Sequence, residues 1–185
     1  YKILLAFFDP KIARTIYPFM FPVQKTDKTY RIFVLGGSAA AGTPDGAYSF
    51  GRILQVMLRR QYPETNFEVI TAAMPAINSH AVLEIAKDCA GYKPDMFIVY
   101  LGNNEVVGPY GAGTVFAQLS DNLSLIRFGI TLKSSRVGQL LTNLTGMIGS
   151  DSPRVWMGME MFLDKQVSRD DPQMEIVYRN FQKNL

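Results

Sequence analysis

The chain has 185 residues, ordinary proportions of apolar and charged side chains and a formal net charge of +3. A length of this order fits one domain able to bury its own core, and so mild a balance gives nucleic-acid binding no support. The single cysteine, Cys89, excludes a disulfide framework within the chain and a multi-cysteine zinc site.

Residues 1–29 read as an irregular lead-in, because Pro10, Pro18 and Pro22 interrupt any long helix. The run Tyr1 to Phe8 is apolar but far shorter than the ~20 residues that span a bilayer. It fits a core segment or the stub that follows an upstream anchor. Tyr30 to Leu35 is a short apolar run ending in Gly36-Gly37, which predicts a buried strand. Ser49 to Arg60 carries Phe50, Ile53, Leu54, Met57 and Leu58 at helical spacing, and Tyr62-Pro63 ends it.

Asn66 to Ala72 predicts a second strand. Asn78 to Ala90 predicts a helix with Asn78 as its N-cap. Met96 to Leu101 predicts a third strand, closed by Gly102. Strand, helix, strand, helix, strand implies a parallel sheet with right-handed crossovers. The runs are apolar throughout, which fits strands covered on both faces. Beyond residue 113, Val115 to Phe128, Ser135 to Ile148 and Arg154 to Val167 look helical, and Pro172 opens a last helix to Leu185. The expected organisation is a lead-in over 1–29, an α/β core over 30–112, and a helical insertion or lid with the start of further structure over 113–185. The helical ending without a stop signal suggests a piece of a longer protein.

In open parallel sheets ligands bind at the carboxyl ends of the strands. Three such ends carry unusual residues: LGGSAAAG at 35–42, TAAMPAINSH at 71–80 and YLGNNE at 100–105. Small residues from Gly36 to Gly42 let the backbone turn sharply and present one hydroxyl, Ser38, near a helix start, where free N–H groups stabilise negative charge. The plainer alternatives are a tight turn or a phosphate loop. Gly37 and Gly42 have P-loop spacing, but Thr43-Pro44 follows where Lys-Ser/Thr is required, and GxGxxG is absent. The Gly-x-Ser-x-Gly elbow also fails, because Ala40 replaces its last glycine. Asn104 can aim an amide N–H at the same rim, as oxyanion holes require, although Asn103 and Asn104 are also common turn formers. Glu105 reads as a carboxylate that orders the loop.

Taken in that order, GGSAAAG, AAMPAINS and GNNE resemble the first three blocks of the SGNH (GDSL-like) serine hydrolase family over about residues 30–112. The implied fold is a three-layer α/β/α, flavodoxin-like parallel sheet. The implied reaction is cleavage of an ester-linked acyl group, with Ser38 as nucleophile. The implied oxyanion donors are the backbone N–H groups of Ser38 and Ala73 and the side chain of Asn104. Gly37, Asn78, His80 and Glu105 are candidates for lining the substrate site. Three positions depart from the pattern: Gly37 stands for Asp, Ala73 for Gly and Glu105 for Asp.

With the later WMGMEMFL, the motifs resemble a bacterial subgroup often fused to tetratricopeptide repeats and carrying an N-terminal membrane anchor. That implies an extracytoplasmic or membrane-anchored setting. The resemblance implies no metal and no organic cofactor. The expected partner is an acyl ester, with a glycan or lipid as its carrier. The family's Asp-x-x-His block is missing, and the only histidine is His80 in the second-block helix. These residues alone are therefore expected to be catalytically incomplete. An O-acyltransferase acting on an envelope glycan, a non-catalytic binding module on the same fold and a flavodoxin-like phosphate binder are the alternatives. Cys89 reads as a small buried hydrophobe. Asn122 and Asn143 each open a glycosylation-type triplet, and the cluster of Trp156, Met157, Met159, Met161 and Phe162 fits core packing or a lid.

Overall fold

A computed structural model describes residues 17–112, 122–138, 140 and 167–185. Two compact units divide the chain: Thr15–Asn104, and Tyr1–Arg14 together with Glu105–Leu185.

The first unit is an α/β fold. Strand β1 (Thr29–Gly36) is followed by the short helix α1 (Ser38–Ala41), a 3-10 turn at Gly46–Tyr48 and helix α2 (Phe50–Gln61). Strand β2 (Asn66–Ala73), helix α3 (Ser79–Ala90) and strand β3 (Met96–Tyr100) complete it. The sheet is parallel in the order β2-β1-β3, so the second crossover passes back over β1. With crossovers of one hand, that reversal sends α2 and α3 to opposite faces. The core is centred on β1, whose residues Ile32, Phe33, Val34 and Leu35 are buried. On one face Val34 packs with Ala40, Ala41 and Ala73, and Phe50, Val69 and Ile98 close around them. On the other face Phe33 meets Phe97 and Phe21, and Phe21 meets Tyr92 edge-on.

Local chemistry sets the helix limits. The Ser49 hydroxyl accepts from the Arg52 amide at 3.3 Å and starts α2. Arg59 and Arg60 complement the dipole in its last turn. Asn78 occupies the N-cap position of α3, and its backbone carbonyl accepts from Ala81 and Val82. Its side chain makes no capping bond, which differs from the expected role.

The strands match the predicted runs within a residue, but coverage on both faces holds only for β1. Strand β3 exposes Met96, Phe97, Val99 and Tyr100, each by 38–49%. Among the described residues it pairs on one side only, with β1. An apolar run does not distinguish a central strand from an edge.

The second unit contains helix α4 (Leu123–Ser134) and helix α5 (Pro172–Asn184). Asn122 Oδ1 accepts from the amides of Ser124 and Leu125 and caps the start of α4, and the predicted helical stretch 115–121 lies outside the described residues. The helix also runs past the predicted end at Phe128, through Gly129 to Ser134. Ile126 and Ile130, one turn apart, cluster with Tyr110. Asp171 caps α5 through the Gln173 amide, with Pro172 in the first turn as predicted. Arg127 joins the two helices through the Lys183 carbonyl and Asn184 Oδ1. Of the expected helix 154–167, residues 154–166 lie outside the described residues, as do the Trp156–Phe162 cluster and Asn143. Among the described residues no helix is long and apolar enough to cross a membrane.

Candidate active site

Strand register brings the three unusual segments level. Gly36 lies opposite Ala73 on one side and opposite Tyr100 on the other, so all three strands end on one rim. A Cβ on Gly36 would collide with the Tyr100 carbonyl oxygen and lie 2.6 Å from Ala40 Cβ. The absence of a side chain there is what lets the chain leave β1 and turn directly into α1. Ser38 is the first residue of α1 and is half-buried. At that position its backbone N–H has no intrahelical acceptor. Among the described residues its hydroxyl makes no hydrogen bond.

Asn104 reaches the same place from the segment after β3. Its Nδ2 donates to the Ile77 carbonyl at 2.9 Å. A Cβ on residue 37 would lie 2.9 Å from that nitrogen, closer than real contacts allow. Glycine at 37, where the resembled pattern has an aspartate, therefore makes room for the Asn104 amide beside the Ser38 backbone. One N–H of that amide is held by Ile77, and an amide group has a second. Gly37, Ser38, Ile77, Gly102, Asn103 and Asn104 line a cleft of only about 10 Å³. That is about the room one water-sized group needs. A larger cavity of about 650 Å³ lies along the outer edge of β2 and does not include Ser38.

Ala73 is not in this cleft. It belongs to β2, and the amide of the next residue, Met74, donates to the Gly36 carbonyl. In a parallel ladder the flanking residues carry the bonds across to the partner, so the N–H of Ala73 faces away from β1 and from Ser38. The expected donor role of Ala73 does not follow from this strand register. Two neighbours matter instead, and neither was singled out in the sequence. Ile77 is fully buried and fixes Asn104 through its carbonyl. Ala76 adopts φ 63, a left-handed conformation that glycine or asparagine favours. Pro75 was the available signal, since proline followed by a left-handed residue is a type II turn pattern.

His80 is buried in the first turn of α3 and makes no hydrogen bond to the Ser38 hydroxyl. Asn78 is 1% exposed, at the start of the same helix. Glu105 is buried at the beginning of the second unit, not on the surface. Cys89 is buried, and burial followed by the nearby Asp88 carboxylate pushes its thiol up to about 11. It stays protonated at neutral pH and is no competing nucleophile.

No family model and no curated protein matches the chain. Among solved structures, the chain is similar to a crystal structure of TesA at 15% identity, over 84% of this chain and 99% of that one, with a TM-score of 0.39. It is also similar to a mutant of the esterase AlinE4 at 26% identity, with a TM-score of 0.39, over 65% of this chain and 57% of that one.

Proposed function

We propose that the chain carries the nucleophile half of an SGNH-type serine esterase. Ser38 Oγ attacks the carbonyl carbon of an ester. The alcohol departs as the ester C–O bond breaks, leaving an acyl group on Ser38 that water then removes. The tetrahedral oxyanion is held by the Ser38 backbone N–H and by the Asn104 amide. A second backbone donor is expected from the loop after β2 in place of Ala73, because the Ala73 N–H faces away from β1 and the Ile77 carbonyl of that loop holds Asn104. The general base is a histidine that these 185 residues do not supply, because their one histidine does not bond to Ser38.

The single observation that carries this reading is the seating of the Asn104 amide against Gly37 and the Ile77 carbonyl, next to Ser38. Such a donor contributes about 3 kcal/mol when it faces developing negative charge. The test is hydrolysis of short-chain p-nitrophenyl esters by the protein in its full natural length. Ser38→Ala is expected to abolish turnover, and a rate unchanged by that substitution contradicts the proposal. Adding a soluble glycan as acceptor separates hydrolysis from acyl transfer, since transfer yields an acylated glycan.

A second reading, a non-catalytic binding module, is favoured by the absence of any hydrogen-bonded base at Ser38 among the described residues. It predicts no turnover at all in the same assay.

A further inference from the structure

The edge of β2 away from β1 borders the cavity of about 650 Å³. That volume falls within the range of about 300–1,000 Å³ found for ligand clefts. Arg52 and Arg59 of α2, Val69 and Thr71 of β2, and Tyr17 and Phe19 of the lead-in all line it. Register fixes which backbone groups face it. The Asn66 amide donates to the Lys28 carbonyl and the Met74 amide to that of Gly36, so even-numbered β2 residues bond towards β1. Phe67, Val69 and Thr71 therefore turn their N–H and C=O groups to the cavity. The bond from Arg59 Nε to the Phe67 carbonyl, 3.3 Å, agrees with that direction. Among the described residues no strand pairs on this side of β2.

The charges at this edge are unbalanced. Among the described residues Arg52 bonds only to Gln55 Oε1, and Arg59 only to the Phe67 carbonyl, so neither guanidinium meets a carboxylate there. Both arginines are exposed and lie seven residues apart, on one face of α2. Of the carboxylates that line the cavity, Glu68 pairs with Arg31 and Asp45 accepts only from the neutral Ala47 amide, so among the described residues two unpaired guanidinium groups stand against one unpaired carboxylate.

We propose that this groove takes an extended acidic peptide segment, which pairs with the open edge of β2 and sets its carboxylates against Arg52 and Arg59. Strand addition uses alternating N–H and C=O groups, and those are what Val69 and Thr71 present. An acidic polysaccharide meets the arginines equally well but lacks that alternation, which favours the peptide. The inference is independent of any activity at Ser38.

The test uses an octapeptide of alternating glutamate and valine, followed by fluorescence anisotropy and amide hydrogen exchange. Expected results are saturable binding, slowed exchange at Val69 and Thr71, and an affinity at least ten-fold weaker in the double variant Arg52→Glu, Arg59→Glu. A lysine–valine octapeptide should not bind. An octapeptide of the same acidic sequence, N-methylated at alternate residues, tests the unaltered protein and should lose binding. Equal binding of the methylated peptide overturns the proposal. So does an affinity unmoved by charge reversal, or no binding at millimolar peptide. Binding of polygalacturonate in place of the peptide also overturns it and assigns the arginines to a glycan.

Discussion

At the amino end of the sheet, Arg31 is completely buried, and each of its three guanidinium nitrogens donates to a protein oxygen: Glu68 Oε2, the Tyr92 carbonyl and the Pro22 carbonyl. The Phe21 ring lies over its guanidinium at 4.9 Å, and its backbone amide donates to Asp95, which also pairs with Lys25. At the carboxyl end, a few residues along the same strand, side chains are small or missing and the Ser38 hydroxyl is unbonded among the described residues. A buried polar group is tolerated only when its partners are fixed. The amino end meets that condition with long side chains that tie the lead-in to the sheet. The carboxyl end leaves a hydroxyl and an amide N–H available, which is useful only if something else binds there.

The contrast is broken most severely by Arg31→Ala. That substitution strands the Glu68 carboxylate and two carbonyls, and urea unfolding should show a loss of about 3–5 kcal/mol. Arg31→Met combined with Glu68→Leu removes both charges and should cost markedly less. Equal losses would show that packing, not charge pairing, makes the amino end stable.

Next in size is Asn104→Ala. Esterase turnover by the full natural polypeptide should fall about 10²–10³-fold. Its unfolding free energy should change by only about 1 kcal/mol, the worth of one hydrogen bond. Gly37→Ala crowds the same amide and should lower turnover in the same direction.

Ala76→Gly relieves a left-handed residue, which costs about 1–2 kcal/mol, and adds glycine entropy of about 0.5–1 kcal/mol. A net gain in stability of up to about 1.5 kcal/mol is expected from thermal unfolding. The smallest effect concerns pH. Burial works against the Asp95 carboxylate, but the hydrogen bond from Lys25 and that from the Arg31 amide outweigh it and hold its pKa below the ordinary value. A depressed folded pKa stabilises above the unfolded value of about 3.9, and the stabilisation is lost as pH falls through the folded value. The stability gap between the wild type and Asp95→Asn should therefore be constant near neutrality and narrow below about pH 4.

The sheet and its first two long helices were legible because apolar runs, Gly36-Gly37 and Tyr62-Pro63 act locally. The direction of the Ala73 amide was not. Ending β2 at Ala72 would leave Ala73 in a loop, whereas the strand runs one residue further and the two-residue period turns its N–H outward. The same limit applies to Arg31, whose partners come from residues 22, 68 and 92 and leave no mark in TYRIFVLG. The exposure of β3 depends on which strands lie beside it, and apolarity alone carries no such information. Helix α4 starts at the Asn122 cap, a local signal that the apolar spacing did not single out.

Treatment of the full natural polypeptide with a fluorophosphonate probe, followed by digestion and peptide mass spectrometry, decides whether Ser38 is the nucleophile. A covalent adduct is expected on Ser38, absent after Ser38→Ala and formed far more slowly after Asn104→Ala. An adduct on another residue, or a Ser38 that stays unmodified while the protein turns over esters, would contradict it.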